Sequence, residues 1–281
     1  FRSSLVYDCI ERAMDLVEGG SVYSADGGPT AGTISAGDSL AALDEIVFNQ
    51  KLLTMEQVLH AMSTNYEDME TVPAGPEIRA ILLNKAPKFG NDDERADKWV
   101  VELEDYIGSS YRYKYRSSKY GKGPVPCCYS YSQSPVTGNI AFGKSIGATP
   151  DGRKAGQPVN NGISPANGSE KKGATAACNS VMKLPSIWFQ KGAIFNMRLS
   201  KGALDTDENK EKVIAMIKVL FENYGQQIQF NVVDNKVFKK AMEHPDEYKD
   251  LMVRVSGYSA LFTSLSPECQ MDVINRAELE L

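Results

Sequence analysis

Histidine is almost absent: the chain has two in 281 residues, His60 within a helical pattern and His244 directly before Pro245. No His or Cys cluster has metal-ligand spacing, so a zinc centre is not expected. The chain also lacks a Gly-x-Ser-x-Gly elbow and a glycine-rich loop ending in Lys-Ser or Lys-Thr, which removes the usual support for hydrolase and P-loop chemistry. Gly90 to Glu94 (GNDDE) lacks the alternate-position ligands and distal glutamate of a calcium loop and reads as a capped helix start. No apolar run reaches the roughly 20 residues of a membrane helix, and Phe1 to Gly20 reads as an amphipathic helix rather than a secretory signal. Lysines and arginines are scattered and the formal net charge is −5, so neither a nucleic acid nor a membrane is an expected partner. The five cysteines are odd in number, which predicts reduced thiols in a reducing compartment, the cytoplasm.

What is present is a chain long enough for a large core, 42% hydrophobic. Leu5, Val6, Cys9, Ile10, Ala13, Met14 and Val17 recur at helical spacing and stop at Gly19-Gly20, predicting a core-facing first helix. After a Gly/Ser/Thr-rich loop from Gly27 to Gly37, Asp38 is placed to cap a second helix bearing Leu40, Leu43, Ile46 and Val47. Thr54 and Gln57 have capping-box spacing, and helices follow over Glu77 to Asn84 and Asp92 to Tyr106. From Gly121 to Gly173 turn residues dominate, broken by strand-like pieces such as Cys127 to Ser132, which predicts functional loops.

Beyond them, strand and helix alternate. Ala193 to Leu199 and Gln227 to Val233 read as strands, the second with Ile228, Phe230 and Val232 alternating. Asp207 to Tyr224 and Lys236 to His244 read as helices, Leu251 to Val255 as a strand leading to Gly257, and Ser266-Pro267-Glu268 as the start of a last helix. The fold class is α/β, with the Gly257 loop projecting from a strand end. In "RVSGYSA", Arg254 to Ala260, the lone glycine has two uses: a positive φ in a turn, or chemistry at a carbon without a Cβ.

The block "VRVSGYSALFTSLSPECQMDVINR", Val253 to Arg276, with Gln270, Ile274 and Arg276 in its tail, closely resembles the signature of the glycyl radical enzymes, the pyruvate formate-lyase-like family. Three further blocks resemble that family in the same order: "KFGNDDERAD" from Lys88, "GATPDGRKAGQPVNNGISPANGSEKKGATAACNSVMKLP" from Gly147, and "IQFNVVDN" from Ile228. The resemblance covers nearly the whole chain. It implies the C-terminal part of a ten-stranded β/α barrel, with 1–160 a barrel portion incomplete at its N-terminus and 161–281 the glycine radical domain.

The resemblance further implies that Gly257 is the catalytic residue. A separate iron–sulfur activating enzyme using S-adenosylmethionine would remove its α-hydrogen, leaving a glycyl radical as the cofactor, with no bound metal or organic cofactor in this chain. Amide nitrogen and carbonyl delocalise such a radical at a planar carbon, which a Cβ would crowd. Arg254, Val255, Ser256, Tyr258 and Ser259 shape the radical loop, which would be shielded from water and dioxygen in an organism running the enzyme without air. During turnover the radical would pass to a cysteine thiol and from there to a small organic substrate. No cysteine here suits that role: Cys9 sits on a helical pattern, and Cys127-Cys128 fall in a strand-like piece before "GATPDGR". The chain therefore reads as a portion of a longer enzyme, its partner being the upstream portion, and Phe1 in place of an initiator methionine agrees with a fragment. Tyr131, Gln133, Ser134 and Val136 are the candidates for pocket lining, because the family's strand before the "ATPDGR" block borders the cavity. The expected reaction is lyase chemistry, elimination or decarboxylation, breaking a C–C, C–O or C–N bond. Formate acetyltransferase is the runner-up, and a spare-part radical domain that repairs an oxygen-cleaved enzyme is the alternative of another class. Members of the family are commonly dimers.

Overall fold

The computed structural model describes residues 1–22, 27–113, 130–134 and 136–280. Parallel strands form its spine. Gly27–Pro29 (β1) pairs with Ser130–Ser132 (β2), and Asn196–Arg198 (β3) pairs with Gln229–Asn231 (β4), both in parallel. A parallel bridge from Gln133 to Ala193 joins the two pairs, and another, Leu199 to Leu279, adds the chain end. Ala193, Phe195 and Met197 turn one face of this arc into the largest core cluster, with Tyr131, Val100 and Leu220. That cluster takes residues from both sides of the 160/161 boundary.

Helices pack outside the arc: Thr33–Ala42 (α1), Met55–Ser63 (α2), Gly75–Asn84 (α3), Glu94–Tyr113 (α4), Gly138–Ser145 (α5), Gly173–Met182 (α6) and Asp207–Glu222 (α7). Thr54 and Gln57 form the expected capping box of α2. At α4, Asp93 opens the helix as read from the sequence, its carbonyl accepting from the Ala96 and Asp97 amides. Helices α1 and α4 cross closely because Gly37 has no side chain: a Cβ there would lie 2.4 Å from Val100 Cγ2.

Three expectations fail. Residues 1–20 do not form a helix; they are turns with short 3₁₀ pieces at Ser3–Leu5 and Leu16–Glu18. Only Cys9 of their apolar set is buried, while Leu5, Ile10 and Val17 are exposed, so periodicity had no core face to dock on. Asp38 does not cap the second helix, which starts five residues earlier, at Thr33, and runs on as a π-helical turn, Leu43–Asn49. Its carboxylate instead accepts the Phe89 amide of the "KFGN" block at 2.7 Å. The glycine-rich stretch expected to be loops contains α5, and α6 buries Ala174, Ala177, Cys178 and Val181 at helical spacing. Within that stretch the Arg153 guanidinium donates to the carbonyls of Ile146, Gly147, Lys154 and Gln157, closing the "ATPDGRKAGQ" loop on one side chain. Asn91 fastens the next block, donating to Ser169 and accepting from the amides of Lys171 and Lys172.

Candidate functional site: the Gly257 hairpin

Met252–Arg254 (β5) and Ser259–Leu261 (β6) form an antiparallel hairpin, with Arg254 opposite Ser259. Val253 and Val255 point into a small core shared with Phe238 and Ala241 of the helix Asn235–Glu243 (α8) and with Val273 and Ile274 of Pro267–Ile274 (α9). Ser266 caps α9, as the Ser-Pro-Glu signal predicts, by accepting from the Cys269 amide. The Val255 amide donates to the Tyr258 carbonyl at 2.9 Å, leaving Ser256 and Gly257 as a two-residue tip. Gly257 has φ +77°, a conformation open to glycine and strained for other residues. A Cβ there would lie 3.1 Å from Ile194 Cδ1. The first use of glycine read from the sequence, a positive φ in a turn, is therefore met at this position.

The tip is anchored to the strand arc by neutral amides. Asn231 accepts the Arg254 amide at 2.9 Å and donates to its carbonyl at 2.8 Å, extending β4 to β5 through a side chain. Gln229 Oε1 accepts from the Gly257 amide and from Arg254 Nε, each at 3.2 Å. Ser256 donates to Asn161 Oδ1 at 2.7 Å, and Asn196 Nδ2 donates to the same oxygen at 3.3 Å. Gln229 Nε2 closes the circuit on Asn196 Oδ1. Arg254 Nη1 donates across the hairpin to Ser259 Oγ at 3.0 Å. Behind the tip, Arg276 Nη2 donates to the Val255 carbonyl and to Asp272, whose other oxygen accepts from Asn139 and Asn167.

Strand pleating explains this crowd. Ile228, Phe230 and Val232 face the large core, and Gln229 and Asn231, between them, are buried on the opposite face. Ile194, Asn196 and Arg198 occupy that same inner face beside Ala193, Phe195 and Met197. Read from sequence, the polar partners of an alternating strand look solvated. The usable signal was that parallel strands bury both faces, so an Asn or Gln alternating with large apolar residues marks an interior polar surface. Asn196, Gln229 and Asn231 were missed for that reason, whereas Asn139, in α5, and Asn161, in a loop, carry no local signal of their own.

The remaining expected site residues are placed as follows. Tyr131 and Gln133 are fully buried on the arc's other face, where Tyr131 donates to Glu104 at 2.6 Å and Gln133 Nε2 donates to Glu104 at 2.8 Å. Burial pushes the Glu104 carboxyl above its ordinary range. Ser134 is half-buried and Val136 is exposed, with a positive φ; its carbonyl accepts from Asn161 Nδ2. Gly257 and Tyr258 are exposed within this chain, where the described residues cover the tip from the side of Ile194, Gln229 and Asn161. Cys9 is buried in a turn rather than on a helix, burial pushes the Cys178 thiol up to about 12, and Cys127 and Cys128 lie outside the described residues. Among the described residues no His, Cys, Asp and Glu group could hold a metal, and no helix is long and apolar enough to cross a membrane.

A pyruvate formate lyase-like family model matches residues 1–142, and a glycine radical model matches residues 159–263, a span containing the hairpin. The chain belongs to the glycyl radical enzymes. It is 38% identical to the probable dehydratase YbiW of Escherichia coli over 98% of its own length and 34% of that protein. Against an isethionate sulfite-lyase of Bilophila wadsworthia it is 35% identical over 85% of this chain and 27% of the other. The B12-independent glycerol dehydratase structure from Clostridium butyricum superposes with a TM-score of 0.88 at 36% identity, covering 99% of this chain and 34% of that one. The glycyl radical chain described here thus spans about a third of the length of these relatives, and its α/β fold is a portion of their barrel. The match to the glycine radical model indicates a glycyl radical as its cofactor. The Gly257 tip fits such a group: the α-carbon carries no side chain, its amide is hydrogen-bonded, and the polar side chains Asn161, Asn196, Gln229 and Asn231 around it are uncharged.

Proposed function

We propose that this chain is the radical-bearing portion of an anaerobic, cytoplasmic lyase that eliminates a small group from a small organic substrate, with Gly257 as the residue that holds the radical. The observation that carries this reading is the hairpin tip, where a glycine with φ +77° is fixed through its amide by Gln229 and flanked by the tied-down Arg254 and Ser256. Such a radical would supply reversible hydrogen-atom transfer between the Gly257 α-carbon and a cysteine thiol outside this chain.

The chain's own residues do the rest. Arg254 and Ser259 brace the two strands, Ser256 pins the turn to Asn161, and Arg276 holds the Val255 carbonyl. Elimination is favoured over formate acetyl transfer because dehydratases and a sulfite-lyase are the relatives that align across most of the chain. Ser134 and Val136 would border the substrate cavity, with Tyr131 and Gln133 behind them stiffening the strand through Glu104. Residues beyond this chain would complete the cavity and shield the tip, and 161–281 would be the radical domain.

The test is an electron paramagnetic resonance spectrum after anaerobic treatment with the activating enzyme and S-adenosylmethionine. A doublet that collapses to a singlet when the glycine α-carbon is deuterated, and that vanishes in Gly257→Ala, is expected. A doublet surviving Gly257→Ala would move the radical elsewhere.

A further inference from the structure

Two donors, the Gly257 amide and Arg254 Nε, face the same end of the Gln229 side chain at 3.2 Å each. Only an oxygen can answer two donors, so Oε1 faces the glycine and Nε2 faces Asn196. Gln229 is buried, its strand pairs with β3, and its amide is held at both ends, so the oxygen cannot turn away without breaking the circuit. We propose that Gln229 is a positioning residue for the radical: by accepting the Gly257 N–H it raises the electron density that the amide nitrogen lends to the α-carbon.

This rests on Gly257 being the radical residue. When the hydrogen atom leaves Cα with one electron, the remaining electron is shared with the amide nitrogen on one side and the carbonyl on the other. Sharing requires the N–H, Cα and carbonyl to become coplanar, so the tip, at φ +77° while the hydrogen is in place, must flatten when it leaves. An acceptor on the N–H strengthens the nitrogen's donation. The acceptor itself is neutral, and the nearest charge on it is the Arg254 guanidinium, whose Nε donates to the same oxygen. Arg254 Nε, on the same oxygen, keeps that oxygen from rotating with the amide, and Gln227 Nε2 approaches it at 3.4 Å. One hydrogen bond of ordinary net worth corresponds to about a fivefold change in an equilibrium or lifetime.

The experiment uses the longest natural polypeptide carrying these residues, labelled with ¹⁵N-glycine and activated anaerobically with its activating enzyme. Gln229→Leu should give a doublet with smaller ¹⁵N coupling and about fivefold faster decay under argon. Gln229→Glu, which keeps an acceptor oxygen but adds a charge and loses the bond to Asn196, should give a coupling at or above the wild-type value. Equal changes in both variants, or a Leu variant with wild-type coupling and lifetime, would overturn the assignment. If the Leu variant is recovered only as aggregate, Asn196→Ala releases the other end of the same side chain and should give an intermediate coupling; a wild-type value there overturns it too. Absence of any doublet from the wild type would sink the radical reading of Gly257 itself, a failure separate from the variant comparison.

Discussion

Arg276, near the chain end, donates from Nη2 to the carbonyl oxygen of Val255 at 2.6 Å, and so ties α9 to the residue two before Gly257. The same nitrogen meets Asp272 Oδ2 at 3.2 Å, and both side chains are buried. Arg276→Met leaves a buried carboxylate and a buried carbonyl short of a partner, a loss of about 3 kcal/mol. Chemical denaturation should show that loss, and amide exchange should speed up over 252–262 before it does over α6. Unchanged exchange in the hairpin would mean that Arg276 braces α9 alone.

Gly257→Ala is expected to fold. Its cost is the positive φ, about 1–2 kcal/mol, because Ile194 Cδ1, 3.1 Å from the new Cβ, is the free end of a side chain and can turn away. Thermal unfolding measures that cost. A loss above about 4 kcal/mol would show that the tip tolerates no shift of Ile194.

Helices α2, α3, α4, α7 and α8, the capped start of α9 and the strand leading to Gly257 could be read from the sequence because each carries its own local signal: a cap, a proline or an apolar period. Residues 1–20 misled because helical spacing describes a face and says nothing of what covers it; Ile10 and Val17 have no partner surface among the described residues. Asp38 misled for the opposite reason, since a short acid before an apolar run resembles a cap, yet its partner is the Phe89 amide, 51 residues away. The site was half legible. Glycine and its flanks stand in the sequence as one block, whereas Asn161, Asn196, Gln229 and Asn231 converge only when three chain segments align.

Ser256 and Asn161 give a cleaner energetic test, since both are buried and 95 residues separate them. The 2.7 Å bond between them should appear as a coupling of about 1 kcal/mol in a double-mutant cycle of Ser256→Ala and Asn161→Ala. Asn161→Ala alone should cost more than Ser256→Ala alone, because Asn161 also serves the Val136 carbonyl and Asn139. Additive effects would detach the tip from residue 161.

The buried acids predict how stability responds to pH. Asp38 is fully buried; burial pushes its carboxyl up to about 7 from an ordinary 3.8, against the opposing pull of Lys88, with Asp151 and Asp97 adding to the rise. Oδ2 has no hydrogen-bond partner among the described residues, while Oδ1 holds the Phe89 amide. A raised acid means the native state keeps a proton that the unfolded chain has already released. Between about pH 4 and pH 7 the native state therefore binds more protons, and this group's contribution to stability falls as pH rises through that window and levels off above it. Glu170, also pushed up to about 7 by burial, acts in the same direction. Asp38→Asn removes the ionisation and keeps an oxygen for Phe89. Relative to wild type it should be nearly neutral at pH 4 and stabilising at pH 8, by on the order of 3 kcal/mol, with a flatter profile between them. Urea titrations at the two pH values decide it. If Asp38→Asn is instead destabilising at pH 8, the carboxylate is ionised in the native state and paired with Lys88, and Phe89 is held by a charge rather than by a neutral acid.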